Sequence, residues 1–255
     1  QAYIIGVQAN IWGEYIQTPE YFEYMAFPRL LAMSEVQWTQ PEHKDFESFA
    51  RRLDKEFERL DYCGVNACRN FYEVNQAGAW NKAQQTYEVT LNTFCPDADI
   101  YYAVNDSTVN TSSSLYETPI PLDEDATVYS AVYRDGKPLG KVTRKSFAVN
   151  KATGCDYTCN PEAGWEHLNK GFGLTDGRRG YARDMRRWIS FYQDTVQIVV
   201  ELKKPQKVKE VAFSSLWRPV NEIWPARAMS VSVSMDGQTF IPVGTKQLHL
   251  SAWNY

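Results

Sequence analysis

The chain has 255 residues, 44% hydrophobic and 23% charged, with 27 Lys and Arg against 31 Asp and Glu for a net charge of −4. That balance, with a pI near 5.5, argues against a general nucleic-acid binder, whose surface is basic. A mean hydropathy of −0.48 and the lack of any apolar run approaching ~18 residues exclude a helical membrane span. Aromatic residues are abundant, at 14%.

The opening Gln1-Ala2-Tyr3-Ile4-Ile5-Gly6-Val7 reads as a strand buried on both faces. No initiator Met or signal-peptide core precedes it, which predicts a piece of a longer protein. After Pro19 the composition is helical, but Pro28 interrupts it. One helix should end near Ala26 and another begin with Pro28 in its first turn. In the next helix Phe46, Phe49, Leu53, Phe57 and Leu60 form one apolar stripe, with Asp45 and Glu47 as acidic start signals and Gly64 as the stop.

Residues 73–85 read as a polar connector. Strands are expected at Thr86–Phe94, Ile100–Val104, Ala126–Tyr133 and Lys141–Val149, around a Ser/Thr/Asn-rich loop at 105–114 and an Arg134–Lys137 turn. Such spacing predicts a small sandwich over 86–149. A second connector at 150–154 leads into a third β-rich block. Strands are expected there at Thr195–Leu202 and Val208–Trp217, followed by a hairpin in which Met229, Val231, Val233 and Met235 alternate before Asp236-Gly237. The predicted whole is multidomain α+β.

The five cysteines, at 63, 68, 95, 155 and 159, contain no Cys-x-x-Cys spacing. Cys155, Cys159 and His167 lack a fourth ligand for zinc. Cys63–Cys68 and Cys155–Cys159 are spaced for local disulfides in an exported protein; buried free thiols are the alternative. Arg178, Arg179, Arg183, Arg186 and Arg187, interleaved with Tyr181 and Trp188, would either clamp an anionic polymer or form a solvated loop paired with acids.

The segment Gln8-Ala-Asn-Ile-Trp-Gly-Glu14 sets an indole two residues from a carboxylate. A flat indole packs on the C–H face of a pyranose while a carboxylate accepts from its hydroxyls; a core Trp beside a surface Glu would give the same spacing. Three motifs carry a resemblance. They are Gly6-Val-Gln-Ala-Asn-Ile-Trp-Gly-Glu14, Phe27-Pro-Arg-Leu-Leu-Ala-Met-Ser-Glu-Val-Gln-Trp38, and Phe49-Ala-Arg-Arg-Leu53 with Arg59-Leu-Asp-Tyr-Cys-Gly-Val65.

On these motifs residues 1–72 resemble the end of the catalytic domain of glycoside hydrolase family 20 β-N-acetylhexosaminidases. The resemblance implies that Gly6–Trp12 is the last strand of a (β/α)8 barrel and that Pro28–Trp38 and Asp45–Leu60 are closing helices. It also implies that Trp12 walls the pocket for a terminal N-acetylhexosamine and that Glu14 bonds one of its hydroxyls. Arg29, Glu35 and Trp38 match as structural residues. The implied mechanism is substrate-assisted retention, in which the 2-acetamido oxygen attacks the anomeric carbon and an Asp-Glu pair assists. No His-x-Gly-Gly-Asp-Glu-like motif is present, and the sole adjacent Asp-Glu pair, Asp123-Glu124, reads as a solvated turn. No catalytic residue is therefore expected in this chain.

Residues 86–149 resemble the fibronectin-like module that follows such barrels, on Ile100-Tyr-Tyr-Ala-Val104, Ser113–Ile120 and Ala126–Ala131. Residues 150–255 resemble a truncated discoidin-like, galactose-binding sandwich, on Leu174-Thr-Asp-Gly177, Val199–Leu202 and Val231–Phe240. That resemblance offers Trp188, Trp217 and Trp224 as glycan contacts, with core packing as the alternative, and Asp176 as ligand of a structural calcium ion. No other cofactor is implied. The implied partners are glycans ending in N-acetylhexosamine and the rest of the parent chain, in an exported setting. A non-catalytic glycan-binding or scaffolding segment is the alternative function.

Overall fold

The computed structural model describes residues 6–162, 164, 173–177, 180 and 188–248. Their contacts divide into two units, Gln1–Ala77 with Thr90–Pro119 and Thr127–Ser146, and Gly78–Val89 with Ile120–Ala126 and Phe147–Tyr255.

The first unit begins with three helices, α1 (Pro19–Ala26), α2 (Arg29–Trp38) and α3 (Phe46–Tyr62). Thr18 caps α1 by accepting from the Tyr21 N–H at 3.1 Å, with Pro19 at the first helical position. Pro28 forces Phe27 into extended backbone and so separates α1 from α2. Arg29 then donates to the carbonyls of Tyr24 and Met25 at 3.1 and 2.8 Å, satisfying groups that the end of α1 leaves open. Asp45 caps α3 through the Glu47 and Ser48 N–H groups. The helix ends at Gly64, whose φ of +69° permits the paired bonds Val65 N–H to Leu60 O and Gly64 N–H to Asp61 O.

The stripe of α3 faces inward at Ala50, Leu53 and Phe57. Phe57 meets Phe71 and Tyr72 with ring centroids 5.7 and 5.3 Å apart. The helix also meets the β part of its own unit. Phe46 packs edge-on against Phe94 at 5.9 Å, Arg51 pairs with Asp97 at 2.9 Å, and Asp54 accepts from both Tyr72 and Arg134.

That β part is built on β3 (Asp99–Val104) and β6 (Ala126–Arg134), antiparallel with Asp99 opposite Tyr133 and Val104 opposite Val128. β4 (Ser114–Leu115) and β7 (Lys137–Pro138) flank them in the order β4-β3-β6-β7, and β8 (Thr143–Phe147) also pairs with β6. Asp135 and Gly136, both at positive φ, make the tight turn between β6 and β7. The 105–114 loop is tied down where Tyr133 Oη donates to the Val109 carbonyl at 2.9 Å.

A second sheet has the order β1-β2-β5, from β1 (Asn75–Asn81), β2 (Thr86–Asn92) and β5 (Ile120–Leu122). In β2, Tyr87, Val89 and Leu91 alternate inward as their period-2 pattern dictates. β1 lies within the expected 73–85 connector and corrects that reading. Its inward positions are Gln76 and Gly78, which carry no apolar signal. Gln76 is buried because its amide donates to Ser130 Oγ at 2.8 Å and to the Thr143 carbonyl at 3.1 Å.

Two further two-stranded ladders belong to the second unit: β9 (Asp156–Asn160) with β10 (Gln197–Glu201), and β11 (Ala228–Val233) with β12 (Ile241–Gln247). The β11–β12 hairpin turns at Asp236-Gly237, with Gly237 at φ +70°. Every residue of β12 is exposed. Among the described residues, then, no second sheet covers this hairpin into the discoidin-like sandwich expected for 150–255.

Two expected strands are absent. Gly6–Trp12 has no strand, and the described residues form no closed barrel. One barrel strand without neighbours lacks partners for its N–H and C=O groups. Val208–Trp217 likewise has no ladder, and Val208, Val211 and Phe213 stay exposed. The connector expected at 150–154 is a hydrogen-bonded turn rather than a loose link.

Candidate functional site

Trp12 and Glu14 share one short turn. Trp12 is extended and precedes the single 3-10 turn Gly13–Tyr15, closed by the Ile16 N–H to Gly13 O bond at 3.1 Å. The Trp12 side chain is 77% exposed, and Glu14 is exposed beside it. An open indole face and a carboxylate two residues apart can stack on a sugar ring and accept from its hydroxyls.

Arg29 and Glu35 have structural bonds. Glu35 holds α2 to α3 by a two-point contact with Arg52, at 3.0 and 2.8 Å, and accepts from Thr39 at 3.0 Å. Trp38 is not packed: it edges an open cleft of about 260 Å³ between α2 and α3, lined also by Leu31, Phe49 and Leu53. Asp123 and Glu124 are exposed in the turn between β5 and β6. The neighbouring Asp125 has a backbone task, accepting from the Val149 N–H at 2.8 Å.

In the second unit Trp217 and Trp224 flank one isolated antiparallel bridge. Arg218 and Ile223 exchange both backbone bonds, at 3.0 and 3.2 Å, around Pro219–Asn221 and Glu222 at φ +58°. Trp217 and Trp224 are the residues next outward from this bridge along the chain. Trp217 is 37% and Trp224 68% exposed. Trp188 is half-buried and interacts with other groups.

Asp176 accepts from the Gly173 N–H at 3.0 Å. Calcium takes six to eight oxygens, and among the described residues no three His, Cys, Asp or Glu side chains converge. Those residues bring one carboxylate to this turn. Arg178, Arg179, Tyr181, Arg183, Arg186, Arg187 and His167 lie outside the described residues. All five cysteines are free; Cys155 Sγ donates to the Lys151 carbonyl at 3.3 Å.

One cluster escaped the sequence reading. Lys203 lies over the Trp80 ring with Nζ 4.1 Å from its centroid. Trp80 falls in the segment that reads as a connector and Lys203 just after the strand expected at Thr195–Leu202, and 123 positions of chain hide their proximity from any local pattern.

Comparison with known proteins agrees with the motifs. Residues 1–41 match the model of the glycosyl hydrolase family 20 catalytic domain, and residues 75–144 that of the chitobiase/beta-hexosaminidase C-terminal domain. A beta-hexosaminidase of Porphyromonas gingivalis (strain ATCC BAA-308 / W83) is 52% identical over 64 residues, 25% of this chain and 8% of that protein. A beta-N-acetylhexosaminidase of Cellulomonas fimi is 38% identical over 50 residues, 20% of this chain and 10% of that protein. The chain thus spans a tenth or less of the length of these relatives. Two segments of the chain are thus similar to a piece of the glycosyl hydrolase family 20 catalytic domain and to the C-terminal domain of chitobiases and beta-hexosaminidases.

Proposed function

We propose that the chain is the C-terminal part of an exported exo-β-N-acetylhexosaminidase that removes terminal N-acetylhexosamine from glycans. In this reading Trp12 packs on the sugar's apolar face and Glu14 accepts from its hydroxyls. The observation that carries it is the exposed indole–carboxylate pair on one turn inside the segment matched to the catalytic domain. Hydrolysis proceeds by attack of the substrate's own acetamide, with the assisting Asp-Glu pair supplied from outside these 255 residues, since Asp123-Glu124 lies in an exposed turn. The glycan and the remainder of the parent chain are then the partners, with Asp176 the candidate ligand of a calcium ion.

Two measurements test this. The 255-residue chain should show no hydrolysis of an aryl N-acetylglucosaminide; turnover by it would place a catalytic pair inside the chain. In the full-length enzyme Trp12→Ala should lower kcat/KM by ~1–3 kcal/mol of stacking energy, using base–aromatic stacking as the scale. Unchanged kinetics would remove Trp12 from the pocket. A second reading, a glycan-binding segment, is favoured by the exposed indoles of Trp217 and Trp224 beside one bridge. It expects Trp224→Ala to abolish retention on a glycan matrix without affecting hydrolysis by the parent.

A further inference from the structure

The second unit contains a cleft of about 350 Å³ that neither reading uses. Lys151, Lys203 and Lys204 border it with Gln85, Thr153 and Gln206, and among the described residues its lining holds no carboxylate. Three ammonium groups around one cavity repel one another unless a counter-charge sits among them. Here that occurs in a chain whose net charge is −4, so a general excess of lysine does not account for it.

The cleft is built rather than incidental. Lys203 is held by the Trp80 ring and by Gln85 Oε1. The Gln85 amide is itself oriented from its other end, where Nε2 donates to the Lys82 carbonyl at 2.8 Å. Gly154 sits against Trp80 so closely that a Cβ there would enter the indole. Lys151 Nζ donates to the Lys207 carbonyl. It projects from a turn in which Asn150 Oδ1 accepts from the Ala152 N–H and Thr153 Oγ1 from the Asn150 N–H, both at 3.0 Å. An ammonium has three donors, so each of these fixed lysines keeps donors for a ligand after making its structural bond. Lys204, exposed at the rim, takes part in none of these contacts.

We propose that this cleft binds an anionic saccharide, with a sulfate or carboxylate group held among Lys151, Lys203 and Lys204 and sugar hydroxyls meeting Thr153 and Gln206. The anionic part follows from the lysines alone. The saccharide part rests on the glycan-processing reading above and on a volume that exceeds what a bare anion fills and reaches the small-molecule range of ~300 Å³ and upward.

The test is calorimetric titration of the 255-residue chain with N-acetylglucosamine 6-sulfate, glucuronic acid, N-acetylglucosamine and sodium sulfate. The charged sugars should bind and N-acetylglucosamine should not, with the stronger of the two charged sugars identifying the anionic group. Raising NaCl from about 50 to 500 mM should weaken binding. Lys204→Gln should weaken it about tenfold, the loss of one charge-assisted contact, with an unchanged thermal midpoint. Equal binding of the neutral sugar, or no effect of Lys204→Gln, overturns the proposal. Sodium sulfate binding as tightly as the sugar sulfate overturns its saccharide part alone. Failure of the full-length enzyme to hydrolyse N-acetylglucosaminides would sink the hexosaminidase reading and leave the lysine-dependent binding standing.

Discussion

Cys95 shows how one buried position sets chemical behaviour. Burial pushes its thiol up to about 11, against the opposing pull of the Arg134 guanidinium, whose Nη2 donates to Sγ at 3.0 Å. The thiolate is the reactive form, so Cys95 should resist iodoacetamide at pH 8 in the folded chain while the exposed Cys63 is alkylated; mass mapping of a short labelling pulse decides this. Asp236 is the converse case. The N–H groups of Thr239 and Gln238, then the Ser234 hydroxyl, hold its carboxyl down to about 2, below the ~3.9 of an unfolded Asp. A lowered folded value contributes stability above the unfolded value and loses it as the pH falls through the folded one. The β11–β12 turn should therefore be intact above about pH 4 and loosen toward pH 2. The amide resonances of Gln238 and Thr239, followed by NMR, should titrate with a midpoint near 2 rather than near an ordinary Asp value.

At the scale of elements, caps and partners divide the outcomes. The three helices begin and end where Thr18, Pro28, Asp45 and Gly64 require, because a cap acts on N–H and C=O groups within a few residues of itself. Strands have no such local closure. β1 forms from a sequence that reads as a connector because β2 supplies its hydrogen bonds, whereas the apolar Val208–Trp217 stays irregular where no ladder meets it. Gly78 marks the constraint on β1. A Cβ at that position would overlap the Tyr87 phenol and crowd Phe147. Gly78→Ala should destabilise the chain by ~1–3 kcal/mol through overpacking, read as a lower urea midpoint at unchanged slope. A neutral result would mean that Tyr87 swings away at no cost.

For the molecule as a whole, the informative feature is what covers α3. α3, which follows the segment 1–41 matched to the catalytic domain, packs on the β part of the same unit through Phe46 on Phe94 and through Asp54. Asp54 accepts from the Tyr72 phenol at 2.6 Å and from Arg134, which also donates to the Pro96 carbonyl at 2.9 Å. Both side chains of the Asp54–Arg134 pair are mostly shielded from water. Arg134→Met should cost ~3 kcal/mol by leaving Asp54 with an unpaired charge. The double variant Asp54→Asn with Arg134→Met should recover part of that loss. Strictly additive losses in urea melts would show that the two groups do not act as a pair.

What the amino-acid order determined by itself is whatever neighbours in the chain can enforce. This includes the limits of α1, α2 and α3, the inward stripe of α3, the strand β2 and the Asp236-Gly237 hairpin. Tertiary structure alone decided which extended segments became strands, that Asp54 meets Arg134 across 80 residues, and that three lysines distant in the chain share a cleft with Trp80. The physical reason is the range of the interactions. Caps, turns and helical periodicity are satisfied within a few residues, whereas a sheet hydrogen bond, a buried ion pair or a cluster of like charges exists only once the fold has closed the chain between its partners.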